Sequence, residues 1–299
     1  MKQGSAPLPG LARVTNVFSE FQQTWTAATE AERAALKKER SWVCPHCGED
    51  VPPKLIEYQG QPVMLSFADF CGCIQEQQAE QAKADATRAA ELKAAMSTAG
   101  LVGKLGRATF DSYGIENEHQ AEQKAALMAY AQTLTHRPDG SPVKKYRWTL
   151  GDWPGLLLTG PWGTGKSHLA AAVVRQALEM GWDRVYYRSW AAYIKRLRAS
   201  FEKGAKERTS AIEFELTHGQ LVVIDDLDKI KPTEFVQDTL FNVIEYRQNR
   251  ELPTILTSNS EPQDLVPWVG IATLDRIGGF CVQIEFKGES YRTKVAWQK

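Results

Sequence analysis

The stretch Gly160-Pro-Trp-Gly-Thr-Gly-Lys-Ser-His-Leu-Ala170 decides the fold. A short, continuously apolar run, "GLLLTG", leads into it, and an alanine-rich helical pattern leads out. Gly160, Gly165, Lys166 and Ser167 satisfy the G-x-x-x-x-G-K-S spacing between a strand and a helix. Glycines let backbone N–H groups converge on phosphate, and the helix N-terminus adds a favourable field. Lys166 is expected on the β and γ phosphates and the Ser167 hydroxyl on Mg²⁺. Gly160, Gly163, Thr164, Gly165, Lys166, Ser167 and His168 are the candidate nucleotide contacts.

Working outward, buried-strand and helix signals alternate: a helix over 167–180, strand "RVYYRS", a helix near 191–201, strand "LVVIDD", a helix near 235–247, then strands "PTILTSN" and "CVQIEF". That alternation predicts an α/β domain with a parallel sheet. Another helix is expected over 118–135. Asp225, at the end of an apolar strand, is the second expected magnesium ligand, and Asp226 is the candidate for polarising the attacking water. Asp228 is read as a surface or helix-capping residue. Asn259, at the end of a third strand, can orient water or touch the γ phosphate because an amide both donates and accepts.

The chain has 299 residues, 43% of them hydrophobic, and 36 basic residues balance 36 acidic ones. This length suits one α/β domain plus a smaller unit. Zero net charge means that contact with nucleic acid would depend on a local patch. No run approaches the length of about 18 apolar residues that spans a bilayer, so a soluble, cytoplasmic protein with no membrane partner is expected.

Ahead of the α/β pattern, apolar residues from Leu11 to Ala28 recur at helical spacing, a stripe that either packs within its own small domain or docks on a partner. Cys44-Pro-His-Cys47 and Cys71-Gly-Cys73 then form two close pairs. In a reducing compartment such pairs suggest a structural, tetrahedral Zn²⁺ site. His46 replacing one thiolate, or a redox pair without metal, are the alternatives. Cys281 falls in a strand pattern and is read as a core thiol. The expected organisation is a zinc-binding, partner-binding module over 1–80, a helical linker over 81–106 and the ATPase domain over 107–299.

Together, GPWGTGKSHLA, LVVIDDLD and TILTSN resemble the AAA+ ATPases, and within them the replicative-helicase loaders of the DnaC and DnaI kind, with the IstB-like transposition ATPases as close relatives. The segments "TFDSYGIENEHQAEQKAALMAYAQTL" and "LFNVIEYRQNRELPTILTSN" extend the likeness to residues 107–292. The resemblance implies an AAA+ P-loop core without a long C-terminal lid, and ATP hydrolysis that is slow and switch-like. It places Asn259 at the first sensor position. By the same likeness Arg276 is an arginine finger that reaches a neighbouring copy and Arg292 a second sensor, each with an ordinary surface ion pair as its alternative.

The implied partners are a hexameric replicative helicase, gripped by the N-terminal module, and single-stranded DNA, with homo-oligomers forming when ATP is bound. An IstB-like regulator of transposition that binds double-stranded DNA is the alternative. An inert scaffold with a relic pocket is disfavoured, since every expected catalytic residue type is present. The run "YYRSWAAYIKRLRASFEKGAKER" mixes Arg188, Lys195, Arg196, Arg198, Lys203, Lys206 and Arg208 with Tyr187, Trp190, Tyr193 and Phe201. It is either a DNA-facing surface, cations on phosphate and rings on bases, or an amphipathic helix whose aromatics pack inward.

Overall fold

The computed structural model describes residues 42–44, 47–51, 54–58, 61–65, 72–134 and 154–291. The chain divides into two compact units, residues 1–89 and 90–299.

The first unit holds two small antiparallel hairpins. Strand β1 (Trp42–Val43) pairs with β2 (Asp50–Val51), and β3 (Lys54–Tyr58) pairs with β4 (Gln61–Leu65). The β1–β2 turn contains Cys44 and Cys47, and it closes through Gly48 N–H donating to the Cys44 carbonyl at 2.8 Å. Gly48 has φ +72°, a left-handed conformation that glycine adopts without a Cβ clash. Helix α1 (Gly72–Ala99) follows, 28 residues long. Its first turns are rich in Glu, Gln, Lys and Ala, all strong helix formers, and the described side chains there are exposed. The unit boundary falls inside this helix, and in the second unit Met96 and Ala99 are buried.

The second unit is the α/β domain. Helix α2 (Glu118–Thr133) is capped by Asn117, whose side chain accepts from Gln120 N–H. Next come β5 (Gly155–Thr159), α3 (Lys166–Glu179), β6 (Val185–Ser189) and α4 (Trp190–Ala199). Helix α5 (Thr209–His218), β7 (Leu221–Asp225), α6 (Glu234–Gln248) and β8 (Thr254–Thr257) continue the alternation. Short helices α7 (Val266–Val269) and α8 (Ile271–Gly278) precede β9 (Cys281–Glu285). The sequence pattern had not suggested α5, α7 or α8.

The sheet is five-stranded and parallel in the order β6-β7-β8-β5-β9. Strand alternation distributes the apolar residues to two faces. Leu156, Leu158, Val185, Leu221, Val223 and Ile255 pack under α2 and α3. Leu157, Val222, Ile224 and Leu256 pack under α4, α5, α6 and α8. Each such side chain, fully buried, contributes about 1.5–3 kcal/mol. Cys281 is buried beside Phe280, as a core thiol.

Arg247 of α6 is fully buried. Its guanidinium donates to the carbonyls of Leu216, Gly219 and Pro253 and to Thr254 Oγ1 at 2.6–2.9 Å. It thereby ties the end of α5 to the start of β8. This order places the C-terminal ends of β7, β8 and β5 side by side, where parallel α/β sheets hold ligands.

Candidate nucleotide site

The loop from Gly160 to Gly165 joins β5 to α3 as the glycine spacing requires. Gly160, Gly163 and Gly165 all have positive φ. A Cβ at Gly160 would lie 2.1 Å from the Phe286 carbonyl oxygen, so only glycine fits there. Thr164 is buried, its hydroxyl donating to the Pro161 carbonyl at 2.8 Å. Lys166 Nζ donates to the carbonyls of Gly160 and Pro161 at 2.6 and 2.8 Å and to Asn259 Oδ1 at 3.2 Å. Burial pulls its pKa down to about 8, against the opposing pull of Asp226, Asp228 and Asp225.

Ser167 Oγ donates to Asp225 Oδ1 at 2.9 Å, so the two expected magnesium ligands are in direct contact. Thr257 Oγ1 donates to the same Oδ1 at 2.6 Å and accepts from Asp226 N–H at 2.9 Å, clamping both acids from the neighbouring strand. Asp226 has φ +61°, an uncommon conformation for a non-glycine residue that costs of order 1–3 kcal/mol and turns its side chain towards the cavity. Desolvation, then the adjacent Asp225, raises its pKa. A less acidic carboxylate is a better acceptor for a proton from water.

Asn259 is fixed on every side. Its backbone N–H and Nδ2 donate to Asp228 at 3.0 and 3.2 Å, and Nδ2 also faces Asp226 at 3.5 Å. Asp228 also accepts from Ser260 Oγ at 3.0 Å. The reading of Asp228 as a surface or capping residue is therefore corrected: it is the tether that aims Asn259 at Lys166.

A cavity of about 750 Å³ opens over this cluster. Gly163, Lys166, Ser167, Asp226 and Asn259 line part of it. Leu105, Ala108, Tyr113, Gly114 and Tyr291 line it too, the two tyrosines lying against the phosphate loop. Tyr113 and Tyr291 meet edge to face with ring centroids 5.9 Å apart. Tyr291 N–H donates to the Gly163 carbonyl at 3.0 Å, and its hydroxyl donates to the Gly114 carbonyl. Tyr113 Oη donates to the Thr164 carbonyl at 3.3 Å. His168 Nε2 is 2.9 Å from the Thr109 carbonyl, which can only accept, so the proton sits on Nε2 and the ring pins residues 109–113 to α3. None of Leu105, Tyr113 or Tyr291 was anticipated as a site residue, because no local motif marks them.

The remaining expected residues lie elsewhere. Arg276 on α8 does not line the cavity. Its guanidinium pairs with Glu245 at 2.8 Å and sits 4.7 Å over the Phe241 ring. Arg292 and Cys71 lie outside the described residues, as do residues 11–40 and their apolar stripe. Cys44 is buried and Cys47 exposed. Cys73 lies in the first turn of α1. Among the described residues no group of three or more His, Cys, Asp or Glu is placed to hold a metal ion. No described helix is long and apolar enough to cross a membrane.

The basic and aromatic run resolves towards inward packing. Trp190, Tyr193 and Tyr187 are buried, while Phe201 remains exposed. Arg188 and Arg196 are paired with Glu215, and Arg196 also with Glu207, all at 2.7–2.8 Å. Of the two readings, inward packing holds for those three residues: helical spacing on α4 turns Trp190 and Tyr193 onto the sheet, and Tyr187 faces the core from β6.

Comparison with known proteins agrees with this geometry. Residues 150–298, about half of the chain, match the family described as IstB-like ATP binding protein. The replicative helicase loader DnaC of Escherichia coli K12 is 21% identical over 209 residues, covering 70% of this chain and 78% of the relative. The putative ATP-binding protein of insertion sequence IS5376 from Geobacillus stearothermophilus is 30% identical over 144 residues, covering 46% of this chain and 55% of the relative. Against that insertion-sequence protein the chain thus spans little more than half the relative's length. The crystal structure of a DnaC helicase loader shares the fold, with TM-score 0.51 and 21% identity over 62% of this chain and the whole of that one. A phosphate loop with paired acids at the end of another strand of the same parallel sheet, in a chain with these relatives, makes this protein an IstB/DnaC-like AAA+ ATPase, related to helicase loaders and to IS21 transposition ATPases.

Proposed function

We propose that the chain is an ATP-switched regulator of a DNA transaction of the transposition type, binding double-stranded DNA as an oligomer. What supports this most is that the insertion-sequence protein is 30% identical over its 144 matched residues, against 21% over the longer 209-residue match to the loader. In the site, Lys166 neutralises the β and γ phosphates, and Ser167 with Asp225 holds Mg²⁺, which offsets charge on those oxygens. The hydroxyl and carboxylate, both hard oxygen donors already in contact, suit that cation. Asp226 polarises water for attack on the γ phosphorus, and Asn259, steadied by Asp228, senses that phosphate. Arg276, released from Glu245, reaches the nucleotide of a neighbouring copy, while Arg292 serves as the second sensor. Tyr113, Tyr291 and Leu105 wall the base. Turnover is slow, consistent with a switch.

A second reading, helicase loading, is favoured by one observation: the DnaC alignment spans 70% of this chain, beyond the 46% matched by the insertion-sequence protein. Under it the N-terminal module grips a hexameric replicative helicase and the core meets single-stranded DNA. In either reading Cys44, Cys47, Cys71 and Cys73 bind one structural Zn²⁺, supported by the tight Cys44–Gly48 turn. Metal analysis should return one zinc per chain, diminished by Cys44→Ser.

One experiment separates the two readings. The full chain with Mg-ATP is offered duplex DNA and, separately, the replicative hexamer of the same host. ATP-dependent retention on duplex without helicase co-purification is expected. Helicase co-purification with no duplex binding would overturn the transposition reading in favour of loading.

A further inference from the structure

Tyr187 lies on β6, where alternation directs Val185 and Tyr187 to the face covered by α3. Its side chain is 4% exposed, yet its hydroxyl is the buried polar side-chain atom without a hydrogen-bond partner among the described residues. The Asp225 carboxylate and the Ser167 hydroxyl are the polar groups that act on that hydroxyl. An unsatisfied buried hydroxyl destabilises the fold, and phenylalanine would fill the same volume without that cost.

Asp225 Oδ1 already accepts from Ser167 and Thr257, at 2.9 and 2.6 Å. A second cavity, of about 300 Å³, is walled by both Tyr187 and Asp225 on the β6 side, which leaves space for the two groups to adjust. A phenol holds its proton at neutral pH, so it remains a donor.

We propose that Tyr187 is a positioning residue for the magnesium end of the site: its hydroxyl donates to Asp225 and orients that carboxylate when the cation binds. This rests on the reading of Ser167 and Asp225 as the magnesium pair. Magnesium demands near-octahedral oxygen geometry, so a donor that fixes a ligand's orientation acts on cation affinity.

The test is Tyr187→Phe in the full chain, read by binding of a fluorescent ATP analogue across a Mg²⁺ titration and in EDTA, with thermal denaturation of the nucleotide-free protein. The Mg²⁺ concentration for half-maximal binding should rise about tenfold, as outer hydrogen bonds to metal ligands typically require. Affinity in EDTA should not change, and the melting temperature should hold or rise. A Mg²⁺ curve identical to wild type overturns the inference. Asp225→Asn in parallel isolates the underlying reading: if wild type itself shows no Mg²⁺ dependence that Asp225→Asn removes, the magnesium pair is wrong and Tyr187 falls with it.

Discussion

The two groups of residues that line the nucleotide cavity are built differently. At the phosphate end, the loop that opens α3 comes from one contiguous stretch, with acids and an amide delivered by the adjacent strand ends of β7 and β8. In the aromatic group, proposed above as the base end, Leu105, Tyr113 and Tyr291 arrive from opposite sides of the sequence, and Tyr291 reaches Gly114 across 177 positions. The first end is fixed by local backbone geometry and strand order. The second exists only once the domain has folded and the segment after β9 has crossed the loop.

The comparison predicts a graded response. Lys166→Ala removes the charge at the phosphate end, so Mg-ATP affinity should fall by about 10²–10³-fold and hydrolysis should vanish; calorimetry and phosphate release measure both. Retention of near-wild-type affinity would mean that the base end dominates. Gly163→Ala strikes the seam between the ends, because its Cβ would lie 1.9 Å from Ser290 Oγ at a backbone φ of +79°. Strain of about 1–3 kcal/mol should appear as a lower melting temperature and roughly tenfold weaker ATP binding.

Tyr291→Ala should weaken ATP by up to about tenfold, the value of one aromatic contact, while leaving tripolyphosphate affinity unchanged. Equal losses for both ligands would place Tyr291 in support of the loop and not in a wall for the base.

The smallest effect is the titration of Lys166. With its pKa lowered to about 8, the free site loses its cation as pH rises, and phosphate binding must restore the proton. ATP affinity should therefore be flat below about pH 7 and fall roughly threefold between pH 7.5 and 8.5. In the protein without nucleotide the sign is opposite. The unfolded chain binds more protons at this residue between about 8 and its ordinary value of 10.5, so Lys166 adds stability as pH rises through that window. Lys166→Met should flatten both profiles.

The same contrast explains what the sequence could tell. The loop, the strand LVVIDD and the sensor strand were legible because their chemistry depends on spacing within a few residues. Asp228 was misread because its partner, Asn259, lies 31 positions away, just past the end of β8. Arg247 gave no sign of burial, since a charged residue is expected in water and only folding brings three carbonyls around it. For Trp190 and Tyr193 the sequence left inward packing and DNA contact both open, because neither charge nor composition tells which helix face meets the sheet. Thr257 was hidden for another reason: a threonine ending an apolar strand looks like any strand residue until its hydroxyl is found between two acids.

The central claim, that both ends form one nucleotide site, is tested most directly by comparing the affinities of Mg-ATP and Mg-tripolyphosphate for the full chain at pH 7. ATP should bind at least tenfold more tightly, with Tyr291→Ala removing most of that difference. Equal affinities would show that the aromatic end takes no part, and the cavity would then be a phosphate site alone.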